Sequence, residues 1–168
     1  DWDTEYLDAI LSVRVVRDIA ATAAVESGRT PTLASSGLER RYDNFRERYP
    51  GLSLALVPVG PATDTAVAPL VAGAWGHSAP PAAVPAWVIE RRGFSGTLVI
   101  SDGAGRRDLV IRAAVPTADR TRVAVADLPV DAAFVEAIGL ETGVEMGAFG
   151  SRGCGATDVA APRSGDDS

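Results

Sequence analysis

The stretch from Thr97 to Leu128, TLVISDGAGRRDLVIRAAVPTADRTRVAVADL, decides the fold. Thr97 to Ile100, Asp108 to Val115 and Arg122 to Leu128 are apolar-rich runs of strand length. Between them lie Ser101-Asp102-Gly103-Ala104-Gly105 and Pro116-Thr117-Ala118-Asp119-Arg120, whose residue types set tight turns. Links this short join antiparallel neighbours, because a parallel crossover needs a dozen or more residues. The expectation is a three-strand antiparallel meander. After it, Asp131 is placed to cap a short helix from Ala132 to Ile138, which Gly139 ends. Residues 140–149 are compatible with a last strand through Val144, Met146 and Phe149, and from Gly150 onward the composition is that of a flexible tail.

Upstream of the meander, Leu52 to Val59 reads as a buried strand with Pro58 near its end. Val67 to Trp75 fits a strand or a short helix. Ala79-Pro80-Pro81-Ala82-Ala83-Val84-Pro85 argues against regular structure before Ala86 to Glu90. Trp2 to Glu26 has no proline or glycine, and Tyr6, Leu7, Ile10, Val13, Val16, Ile19 and Ala20 recur at helical steps. That predicts one long helix, about 37 Å at 1.5 Å per residue, closed by Ser27-Gly28. Pro31-Thr32 breaks the chain. Ser36 and Glu39 have capping-box spacing for a second helix running to Tyr49, where Pro50-Gly51 stops it. Helices first and a mostly antiparallel sheet behind them make an α+β domain, with both helices packed on about five strands.

Composition narrows the function. The 168 residues suit one domain. All 16 basic residues are arginine, so Schiff-base chemistry, a Ser-Lys dyad and a lysine-bearing P-loop are excluded. A net charge of −6 argues against nucleic-acid partners. One cysteine, Cys154, excludes an internal disulfide and a multi-cysteine metal site, and one histidine, His77, excludes histidine-rich metal sites. Neither a metal nor an organic cofactor is expected. No apolar run of about 18 residues is present.

The long first helix, Pro85, Trp87 and Val88, Gly93-Phe94-Ser95-Gly96-Thr97-Leu98-Val99, Asp108-Leu109-Val110-Ile111-Arg112-Ala113 and Leu128-Pro129-Val130-Asp131 together resemble a Cache-type, PAS-like extracytoplasmic sensor domain. Such domains stand at the front of bacterial transmembrane receptors whose outputs are histidine kinases or sporulation stage II E-type phosphatases. The resemblance covers residues 1–149, leaves 150–168 as tail or linker, and does not extend to the Ala/Pro-rich region 60–85. It implies a PAS-like sheet, an extracytoplasmic location and membrane helices flanking this stretch. It also implies a homodimer through the first helix, a small-molecule ligand such as a carboxylate or amino acid, and no catalysis in this part of the receptor.

Polar groups on apolar strands are then the candidate ligand contacts. Arg112 sits amid Val110, Ile111, Ala113 and Ala114. Its planar fork suits a ligand carboxylate; the alternatives are an internal salt bridge with Asp127 or Asp108, or an outward-facing side chain. Asp127, after Val123 and Val125, is a candidate for a ligand amine or for pairing with an arginine. Trp87 and Phe94 flank the Glu90-Arg91-Arg92 turn, and they either wall a pocket or pack the loop; Trp75 carries the same choice. The arginine pairs at 91–92 and 106–107 and the charged run 39–48 read as solvated surface. A ligand-free dimerisation module is the second reading. A hydrolase using Ser95 or Cys154 with His77 is the third: Gly93-Phe94-Ser95-Gly96-Thr97 misses the G-x-S-x-G pattern at Thr97, and no acid evident in the sequence orients His77.

Overall fold

The computed structural model describes residues 2–26, 31–60, 68–101, 105 and 107–142. In chain order these form α1 (Trp2–Glu26), α2 (Pro31–Phe45), β1 (Ser53–Pro58), β2 (Leu70–Ala72), α3 (Trp87–Glu90), β3 (Phe94–Ser101), β4 (Arg107–Pro116), β5 (Arg122–Pro129) and α4 (Ala132–Thr142). The strands make a five-stranded sheet in the order β2-β1-β5-β4-β3, every neighbour antiparallel. It is the α+β arrangement expected from the sequence, with the helices N-terminal of the sheet.

Strand alternation divides the core in two. Leu54 and Leu56 of β1, Ile111 and Ala113 of β4, and Ala124, Ala126 and Leu128 of β5 share one core with Val16, Ile19, Ala20, Ala23 and Ala24 of α1 and Leu38 of α2. Alanines on both sides let α1 lie close to the strands. The intervening positions, Ala55, Val57, Ala114, Val123 and Val125, face the other way. Trp75, Val84 and Val88, from the segment between β2 and β3, pack on them. β1 and β5, covered on both faces, are therefore apolar at nearly every position and buried almost throughout. The covering segment is tied to β1 by backbone bonds from Val84 N to Pro58 O, 3.1 Å, and from Gly60 N to Val84 O, 3.2 Å.

Several boundaries differ from expectation. Pro31 opens α2 instead of breaking the chain, since its fixed φ suits a first helical turn and its missing N–H is not needed there. Ser36 consequently lies inside the helix and caps nothing at its start. α2 ends at Phe45, and turn hydrogen bonds such as Tyr49 N to Phe45 O, 2.9 Å, carry the chain on to Tyr49. β3 starts at Phe94, three residues earlier than expected, because Phe94 and Ser95 pair with Ala114 and Ala113. Gly139 does not stop α4, which continues to Thr142. Asp131 does cap it, accepting from Phe134 N at 2.9 Å. The expected strand through Val144, Met146 and Phe149, the tail and Cys154 lie outside the described residues. Among the described residues, no helix is long and apolar enough to cross a membrane.

Candidate functional site

Register places a polar row across the face opposite α1. Gly96 of β3 stands opposite Arg112 of β4, Arg112 opposite Asp127 of β5, and Asp127 opposite Ser53 of β1. The Asp127 side chain is fully buried. It accepts two charge-assisted hydrogen bonds from Arg112, Nε to Oδ1 at 2.7 Å and Nη2 to Oδ2 at 2.6 Å. A third, 2.9 Å long, joins Oδ2 to His77 Nε2. Burial pushes the Asp127 carboxyl up, but its bonds to Arg112 and His77 and their charge outweigh that and hold it below the usual carboxylate range. An ionised carboxylate accepts and does not donate, so His77 Nε2 carries the proton of this bond.

The turn after β2 brings His77 there. Gly73, at φ 92°, passes so close to β1 that a Cβ would lie 2.8 Å from Leu52 O. Trp75 then adopts φ 47°, a left-handed conformation unusual for a bulky residue. It is held by Ser53 Oγ, which accepts from Trp75 N at 3.2 Å, and by Leu54 O, which accepts from Trp75 Nε1 at 3.3 Å. The Trp75 and His77 rings lie 5.5 Å apart. His77 is buried, and its Nδ1 and the neighbouring Ser78 Oγ have no hydrogen-bond partner among the described residues.

Two hollows adjoin this row. One, about 230 Å³, lies between the covering segment and the sheet and is walled by Pro85, Trp87, Val88, Phe94, Leu98 and Arg112. Trp87 meets Phe94 edge-to-face at 6.0 Å, and the Arg91 guanidinium lies 5.8 Å from the Trp87 ring centre. The second is a wider, more open depression of about 490 Å³ lined by Val71, Trp75, His77, Ser78 and Pro80 among others.

The structure thus gathers three of the five candidate ligand contacts, Arg112, Trp87 and Phe94, around one cavity. Asp127 lies behind Arg112, with both oxygens engaged, and does not line either hollow. Trp75 belongs to the second. The internal salt bridge weighed for Arg112 is present, and it leaves Nη1 outside the pair. His77, read from the sequence as lacking an orienting acid, has one in Asp127, 50 residues away. Nothing local in the sequence marks that contact. Ser95 pairs with Ala113 and so points to the helix side of the sheet, away from His77, which removes the Ser95–His77 hydrolase pair. No cluster of metal-ligating side chains occurs among the described residues. No protein-family model, no curated protein and no solved structure matches the chain.

Proposed function

We propose that this chain is an extracytoplasmic, small-ligand-sensing input domain of a membrane-anchored bacterial receptor of the Cache type, without catalysis of its own. The observation that carries the reading is the cavity that sets an arginine against an aromatic pair. Its apolar walls shed water from a ligand, and Arg112, which lines it beside them, brings a guanidinium to that apolar setting. At about 230 Å³ the cavity falls below the roughly 300–1,000 Å³ of drug-sized sites, which suits a small carboxylate or amino acid. Signalling then requires different ligand affinity in two arrangements of the domain, since a ligand shifts an equilibrium by that difference and no more.

The test is a thermal-shift screen against acetate, succinate, benzoate and the common amino acids. A true ligand stabilises by RT ln(1 + [L]/Kd), about 2.7 kcal/mol at a hundredfold excess over Kd. Trp87→Ala and Phe94→Ala are expected to lower that gain. No gain from any compound, or an undiminished gain in both variants, overturns the reading. The pairing of Arg112 with Asp127 inside the protein favours a ligand-free dimerisation module as the second reading, and a screen without a response selects it.

A further inference from the structure

We propose that His77 couples this cavity to a proton: an anion docking on Arg112 is accompanied by uptake of one proton at His77 Nδ1. The inference rests on the cavity being a carboxylate site. It begins from one atom, Asp127 Oδ2, which accepts from Arg112 Nη2 at 2.6 Å and from His77 Nε2 at 2.9 Å. With the imidazole neutral, Asp127 cancels the charge of Arg112, and an incoming carboxylate meets a row of net charge zero. With the imidazole protonated, the same three groups sum to +1. The carboxylate is then matched, and the imidazolium keeps its own contact with Asp127.

The remaining groups fit this role. The proton enters at Nδ1, the ring nitrogen that Asp127 does not occupy. The new Nδ1–H needs an acceptor; Ser78 Oγ, on the next residue, is buried, without a partner among the described residues and not bonded to Nδ1, and a rotation of its side chain on protonation supplies one. His77 and Ser78 both belong to the segment that lines the open depression, so bulk water lies on that side of them. On the sheet face beneath His77, the ionisable groups are Asp127 of β5, Arg112 of β4 and, four residues along β4 from Arg112, Asp108. β1 contributes the uncharged Ser53 there, and the segment 71–80 carries no ionisable side chain besides His77.

His77 is the one histidine of the chain, so its imidazole ¹⁵N resonances are unambiguous. The experiment titrates the protein with sodium benzoate and sodium acetate from pH 5.5 to 8.5 at fixed ionic strength. Calorimetry in buffers of different ionisation enthalpy counts the protons, and the His77 resonances report protonation. The expected result is uptake of up to one proton per bound anion. Affinity should fall as pH rises wherever a proton is taken up, by as much as about tenfold per pH unit. His77→Phe should bind with no pH dependence in this range, and Ser78→Ala should take up less proton at a given pH. If His77→Phe does not fold, Ser78→Ala and the wild-type resonances carry the test, because the Ser78 hydroxyl has no hydrogen bond to lose among the described residues. Binding with constant affinity and no proton uptake overturns the coupling and leaves the carboxylate site standing. No binding of either anion at any pH overturns both.

Discussion

Arg112 and Asp127 stand directly opposite each other on β4 and β5, joined by bonds of 2.7 and 2.6 Å. The pair is a structural member of the sheet before it is anything else, and this governs how Arg112 can be tested. Arg112→Ala leaves a buried, ionised Asp127 with one partner, and the expected loss is about 3–5 kcal/mol in urea denaturation. Replacing the whole row by apolar residues, Arg112→Met with Asp127→Leu and His77→Phe, should recover most of it, since buried ion pairs are often matched by well-packed hydrophobes. The double variant that keeps His77 should recover less, because its Nε2–H is stranded. A single Arg112→Ala variant as stable as the wild type would contradict the burial of the pair.

Acid should weaken the fold through Asp127. Its carboxyl is held below the ordinary value of 3.8 in the folded chain. The corresponding stability is complete above that value and is lost as pH falls through the lower, folded one. Urea midpoints measured from pH 5 to pH 2 should fall steeply at the acid end, and less steeply in Asp127→Asn. Equal slopes for the two proteins would rule out Asp127 as the source.

Ser53→Ala should destabilise by about 1–3 kcal/mol, because the buried Trp75 N–H loses its acceptor. Trp75 fluorescence should shift to the red if the turn after β2 loosens. A neutral substitution would show that another group takes over the bond.

Gly73→Ala should be worse than Gly105→Ala. Both glycines have left-handed φ, 92° and 83°, so both variants carry about 1–2 kcal/mol of conformational strain. A Cβ on Gly73 would also lie 2.8 Å from Leu52 O and 3.0 Å from Ser53 Cα, whereas one on Gly105 meets nothing within 4 Å. The difference between the two thermal midpoints isolates the crowding, and equal midpoints would exclude it.

The parts of this architecture that are written locally were the legible ones. The meander shows in its turn residues, and α1 shows in 25 residues free of proline and glycine. Pro31 was ambiguous, because the same ring that ends one helix starts another. Phe94-Ser95-Gly96 gave a weak strand signal, since glycine has little β-propensity, and its membership of β3 comes from pairing with β4. Arg112, Asp127, Trp87 and Phe94 stand out in the sequence as polar or aromatic residues set among apolar strands and turns, and Asp127 is one of the two carboxylates the sequence offers Arg112. The His77–Asp127 contact was invisible: it depends on Gly73 and a left-handed Trp75 turning the chain back over the sheet.

β4 serves two masters in alternate residues. Ile111 and Ala113 belong to the core beneath α1, while Arg112 and Ala114 form part of the cavity floor. Floor and seat are thus opposite sides of one ribbon, with no intermediate linkage between them. Whatever tilts that ribbon from the cavity side tilts the bearing on which the long helix rests, as a single plank moves at both faces when it is pushed at one.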